Sequence, residues 1–140
     1  MSECVKFHFD IDGENFTSAG EASVRIKKML REMGFSPEVI RRVSVAMYEG
    51  EINMVIHANG GSADIIVDTE KIDIILADNG PGIADIELAM KEGYSTAPEN
   101  IRSLGFGAGM GLPNMKRYTD DMRIESEVGC GTTIYMTVNV

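Results

Sequence analysis

Three groups of residues in this 140-residue chain have the types and spacing to do chemistry. The first is Asp78-Asn79-Gly80-Pro81-Gly82, where an apolar run, 72–77, ends on a carboxylate and turns on two glycines. An aspartate at a strand end can accept a hydrogen bond from an exocyclic amine held in a pocket. The second group is Glu49, Asn53 and His57, each four residues from the next. At the helical period they fall in one line. A glutamate there can take a proton from an attacking hydroxyl or water. An asparagine oxygen can complete the octahedron of a Mg²⁺ otherwise held by phosphates and water. The third group is the glycine cluster Gly105-Phe106-Gly107-Ala108-Gly109-Met110-Gly111, which runs into a helical pattern. Glycines at such a place let the backbone approach phosphates closely and point N–H groups at them. Each group alone is a weak signal, since glycines also make loops. Together they point to a nucleotide.

The elements that must hold these groups can be read along the chain. Val5, Phe7 and Phe9 alternate with polar residues as in a half-buried strand. His8, on its polar side, reads as plain surface. Ser18-Ala19-Gly20-Glu21 has the form of a capping box, and Ala22, Ile26, Met29, Leu30 and Met33 keep helical spacing until Gly34. Ser36-Pro37-Glu38 starts a second helix that should run to about His57. On it, Ile40, Val43, Met47 and Met54 form one apolar arc, and Val45, Ile52 and Ile56 form another. Glu49, Asn53 and His57 lie between the two arcs, and Arg41, Ser44, Tyr48 and Glu51 take the solvent side. A polar line flanked by apolar arcs must be satisfied by its own members, by backbone, or by a ligand and its metal.

Beyond that helix, Ile65 and Val67 begin a hairpin that resumes at Ile72, Ile74 and Leu76. Asp85 caps a short helix over 86–91. The polar connection 92–109 is long for a small domain and reads as a lid or binding loop. A helix follows from about Met110, with Leu112, Met115 and Tyr118 on one side and Lys116 and Arg117 exposed. The last hairpin, 123–128 and 132–140, turns on Gly129-Cys130-Gly131. The order predicts a single domain over 1–140. Its fold class is an α/β two-layer sandwich, with a mixed, largely antiparallel sheet and about three helices on one face.

Composition narrows the function. A formal net charge of −9 argues against nucleic acid or an anionic membrane as the main partner. Cys4 and Cys130 are too few for a disulfide framework. No apolar run approaches the ~20 residues of a membrane span. The first residues do not resemble a signal peptide, so a cytoplasmic protein is expected. No Gly-Lys-Ser/Thr follows the glycines, so there is no P-loop. Glycines at every second position do not fit the dinucleotide fingerprint. The His-Arg-Asp and Asp-Phe-Gly elements of eukaryotic-type kinases are missing, and two histidines without cysteine spacing make no zinc site.

Four motifs carry a resemblance. They are Glu49-x-x-x-Asn53, Asp78-x-Gly80-x-Gly82, Gly107-x-Gly109-x-Gly111 and Gly131-Thr132. In this order, from about Phe16 to Val140, the chain resembles the Bergerat-fold ATPase superfamily of DNA gyrase, heat-shock chaperones and histidine kinases. Within it, the short chain and His57 are similar to the anti-sigma-factor serine/threonine kinases and the stressosome switch kinases. The resemblance implies ATP and Mg²⁺ as cofactors. It implies Asn53 on Mg²⁺, and Asp78 on the adenine amine with Thr132 in support. Gly80 and Gly82 would leave room for the base. Gly105, Gly107, Ala108, Gly109, Met110 and Gly111 would form the ATP lid, and His57 would sit near the nucleotide. Glu49 would be the base that activates a substrate Ser or Thr.

Anti-sigma kinases often carry an arginine at the place of Gly107, and the run 105–113 looks more like the switch-kinase branch. The implied partner is a small anti-anti-sigma-like protein, with a sigma factor as a second one. A homodimer is also implied, since anti-sigma relatives often dimerise. The alternative reading is a binding module that sequesters a regulator and uses ATP only for shape.

Overall fold

Period-two patterning builds one five-stranded sheet in the computed structural model, which describes residues 4–13, 20–57, 60–83, 85–91 and 111–140. The strands are β1 (Val5–Asp12), β2 (Gly60–Val67), β3 (Lys71–Asp78), β4 (Asp121–Glu127) and β5 (Gly131–Asn139). They lie in the order β1-β2-β3-β5-β4. The helices are α1 (Glu21–Glu32), α2 (Pro37–His57), α3 (Ile86–Ala89) and α4 (Gly111–Arg117). All four ladders are antiparallel, so the sheet expected to be largely antiparallel is fully so among the described residues. The reason lies in β5. It returns beside β4 as a hairpin yet also inserts against β3, antiparallel to both.

One face of the sheet is the core. Ala63, Ile65, Val67, Ile72, Ile74, Leu76, Ile134, Met136 and Val138 alternate onto it and are buried. Helix α2 packs on this face and carries α1 on one flank and α4 on the other. Gly50, in the middle of α2, explains how closely helix and sheet approach. A Cβ there would lie 2.0 Å from Leu76 Cδ1. The opposite face carries polar contacts between neighbouring strands. Thr137 Oγ1 donates to Asp73 at 2.7 Å, and the Arg123 guanidinium lies 4.3 Å from the Tyr135 ring centre. His8 is exposed, as expected, but engaged. Asp64 and then Asp10 hydrogen-bond its ring and raise its pKa.

The helix ends reveal how α1 is fixed. At its C-terminus Gly34 takes φ 84, a left-handed value that suits glycine. Gly34 N donates to Arg31 O at 3.1 Å and Phe35 N to Leu30 O at 3.2 Å, the paired bonds of a Schellman stop. At its N-terminus the expected capping box is replaced. The N-cap is Gly20, which makes no side-chain cap, and Ser18 lies outside the described residues. The cap comes from Glu51, assigned above to the solvent side but only 2% exposed. Its carboxylate accepts from Gly20 N at 2.8 Å, Ala22 N at 3.2 Å and Ser23 N at 3.1 Å. Helix α2 starts as its sequence suggests, with Ser36 Oγ accepting from Val39 N at 3.3 Å. No described helix is long and apolar enough to cross a membrane.

Candidate functional site

The helix-facing side of the sheet ends in a row of polar residues. Asp78 on β3 is the direct partner of Thr132 on β5, and Thr132 is the direct partner of Ser126 on β4. Asp78 Oδ1 accepts from Gly80 N at 2.9 Å and from Thr132 N at 3.2 Å. Its second oxygen takes no hydrogen bond among the described residues. Gly131, at φ 111, lets this corner close, since a Cβ there would lie 2.1 Å from Asp78 O. The loop after Asp78 is pinned to the β4–β5 turn. Gly129 N donates to Pro81 O at 2.9 Å, and Ile83 N donates to Ser126 Oγ at 2.7 Å. A concavity of about 640 Å³ lies at this end of the sheet, lined in part by Asp78, Asn79, Ser126 and Thr132 together with Ser62, Ala77, Thr133 and Glu125, the neighbouring row on the side away from the helices.

Gly80 and Gly82 acquire roles of their own here. Gly80 supplies the amide that holds Asp78. Gly82 takes φ 80, and a Cβ on it would lie 2.4 Å from Glu127 O. The space it leaves is filled by the β4–β5 turn, which is a packing reason for glycine at this position.

The second part of the site lies where α2 faces α4. Leu112 and Met115 are buried and anchor α4, which faces Gly111 and Asn114 toward α2. A Cβ on Gly111 would lie 3.7 Å from Glu49 Oε2 and 3.9 Å from Asn53 Oδ1. Glu49, Asn53 and Gly111 thus meet, as their motifs suggest. Glu49 is half-buried, and Asn114 Nδ2 donates to its Oε1 at 3.4 Å, a long bond. Burial pushes the Glu49 carboxyl above its usual pKa, while the Asn114 amide pulls it down by less. That combination keeps a carboxylate ready to take a proton. His57 ends α2, but its side chain lies outside the described residues. So do Gly105, Gly107, Ala108, Gly109 and Met110.

Residues 15–138 match the family described as the histidine kinase-like ATPase domain. The chain belongs to this family. ATP is accordingly the nucleotide of this ATPase-family chain. It is 32% identical over 137 residues to an anti-sigma F factor of Clostridium acetobutylicum, covering 94% of this chain and 89% of that one. It is 34% identical over 112 residues to the serine/threonine-protein kinase RsbT of Bacillus subtilis, covering 77% and 78% of the two chains. Solved structures show the same fold. A Mycobacterium tuberculosis protein with RsbU and RsbW domains superposes with a TM-score of 0.65 at 16% identity, over 96% of this chain. The match spans about a third of that longer protein, 32%. The mycobacterial sensor histidine kinase MprB superposes with a TM-score of 0.55 at 16% identity, covering 96% of this chain and 97% of that one.

Ser126 and Asn114 were not visible as site residues in the sequence. Each reaches the site through a strand or helix neighbour that is distant along the chain, and neither stands in a motif. Among the described residues no three His, Cys, Asp or Glu side chains gather as a metal site. Asn53 Oδ1 alone, beside Gly111, suits a hard cation that takes its other ligands from phosphates and water.

Proposed function

We propose that this protein is an ATP-dependent serine/threonine kinase of the anti-sigma and switch-kinase type, acting on a small anti-anti-sigma-like regulatory protein. The observation that carries the reading is Glu49. It is a half-buried carboxylate with a raised pKa, one turn before Asn53 and against Gly111. In this reading Asp78 and Thr132 hold the adenine edge. Asn53 would hold Mg²⁺, which when bound neutralises phosphate charge. Glu49 accepts the proton of the substrate hydroxyl as its oxygen attacks the γ-phosphorus, and ADP leaves. The lid residues 105–110 would close on the phosphates, and His57 would stand at the end of the same line.

The relatives' names support two partner classes: a kinase substrate, and a sigma factor held by an anti-sigma F factor. A sigma factor is therefore proposed as the second partner, with a homodimer as the assembled form and the cytoplasm as the compartment. The test uses γ-labelled ATP and a small anti-anti-sigma-like protein. The kinase reading expects a phosphoserine or phosphothreonine product. Glu49→Gln should lower the rate by roughly 10²–10⁴-fold with ATP affinity kept. A stable complex with no labelled product favours sequestration instead. Unchanged transfer by Glu49→Gln removes Glu49 as the base.

A further inference from the structure

Ser126 lies in the polar row of the candidate site without belonging to any of its motifs. Asp78, Thr132 and Ser126 are cross-strand partners in sequence on β3, β5 and β4. Their side chains therefore stand side by side, one strand spacing apart, at the end of the helix-facing side. The protons around Ser126 determine how its neighbour is turned. A serine hydroxyl has one proton and two lone pairs. One lone pair accepts the Ile83 N–H at 2.7 Å. The Gly131 carbonyl, 3.1 Å away, can only accept, so it takes the Ser126 proton. Thr132 Oγ1, at 2.8 Å, is left to donate into the second lone pair. This arrangement satisfies all three contacts at once. Thr132 then has no proton for the pocket, only lone pairs. The carboxylate of Asp78 is also an acceptor only.

We propose that Ser126 is a positioning residue for base selection. It turns the Thr132 hydroxyl so that the exocyclic group of a base beside Asp78 meets acceptors alone. A ring with an exocyclic amine there finds partners, and a ring with a carbonyl meets lone pairs. Ser126 does this without touching the base. It ties the same function to the loop after Asp78 through Ile83. The proposal rests on the reading of Asp78 and Thr132 as the base-binding pair.

The test is calorimetric titration with ATP and with inosine triphosphate, which carries a carbonyl in place of the amine and a proton on N1. The Ser126 role is read from the change in the ratio between variants, in which the N1 difference is common to all. Wild type should prefer ATP by about tenfold or more, the scale set by an unpaired polar group in a site built to bond one. In Ser126→Ala the Thr132 proton loses its acceptor and becomes available to a carbonyl. The ATP preference should then fall roughly fivefold, a hydrogen bond's worth. Ser126→Thr, which restores the hydroxyl, should recover it. In a Thr132→Val background, where there is no hydroxyl to orient, adding Ser126→Ala should change the ratio no further.

A merely structural role would weaken both nucleotides by one factor and leave the ratio alone, and that result overturns the proposal. If Ser126→Ala does not fold, Ser126→Cys, a near-isostere with a weak hydrogen bond, carries the same measurement. A wild type that prefers ATP, with a serine variant that keeps the full preference, overturns the Ser126 role alone. A wild type without preference overturns the Asp78 reading, and this proposal with it.

Discussion

Glu49 and Glu51 stand two residues apart on α2 and meet opposite surroundings. Glu51 is buried, and its carboxylate accepts three backbone N–H groups at the start of α1. Those are donors that a helix end otherwise leaves unpaired, at the positive end of its dipole. Glu49 is only half-buried, yet among the described residues it has a single long bond, from Asn114, and burial dominates its pKa. One carboxylate has its partners supplied by the fold and holds two helices together. The other is desolvated with one long bond in return among the described residues, which costs stability and is the kind of setting in which catalytic carboxylates are found. A buried acid is therefore not itself the sign of a site. What matters is whether the fold has already answered it.

The comparison breaks most visibly if the two acids are replaced one at a time. Glu49→Gln should lose phosphotransfer by roughly 10²–10⁴-fold while the melting temperature without nucleotide holds or rises. Glu51→Ala should do the reverse. It should lower stability by about 3 kcal/mol, about 10 °C in Tm, with the specific rate of the folded fraction kept. Thermal melts and labelled-ATP transfer on both variants check the pair, and equal Tm losses would erase the distinction.

Gly111→Ala sharpens the Glu49 side. Its Cβ would make ordinary contacts with Glu49 and Asn53, so stability should move by less than about 1 kcal/mol. Filling that space should still slow phosphotransfer roughly tenfold or more. A rate equal to wild type would mean that the α2–α4 gap is not where the phosphates lie.

The pH dependence separates the two acids further. The folded pKa of Glu49 is raised, so its protonated form is the one the fold prefers. Its stabilising contribution is present below the unfolded pKa and lost as pH rises through the folded pKa. In the proposed kinase reading activity runs the other way, because Glu49 must be ionised to act as base. Phosphotransfer should fall as pH drops through that raised pKa, above the ordinary carboxylate range. Glu49→Gln should remove this part of the pH dependence of stability. The smallest effect belongs to Asn114→Ala. Losing the amide that lowers the Glu49 pKa should shift the acid limb of the rate profile slightly upward in pH.

The same pair of acids shows what was legible in the sequence. The Glu49–Asn53 line was readable because the helical period alone puts the two residues together. The core strands were readable because alternation marks which face is buried. Asp78 and Thr132 were readable as motif residues, and the register makes them direct partners. Glu51 was misread because a helical wheel gives direction but not what waits there. Its partners lie 28 to 31 residues earlier. The capping box failed for the same reason, since the cap that α1 uses comes from another helix. Ser126 and Asn114 stayed hidden because their neighbours follow from strand order and helix docking. The insertion of β5 between β3 and β4 cannot be counted off along the chain.

That insertion also sets a schedule for synthesis. Asp78 acquires its Thr132 partner 54 residues downstream. At ribosomal speeds of about 5–20 residues per second, the gap is roughly 3–10 s. Until β5 emerges, β3 presents an open edge rich in isoleucine, the kind of edge that pairs with other chains. Throughout that interval the Asp78 corner lacks one wall, so a ligand seated there could not steady the nascent domain. A ribosome pause between β4 and β5 would prolong the exposure, and chaperone capture should be greatest there.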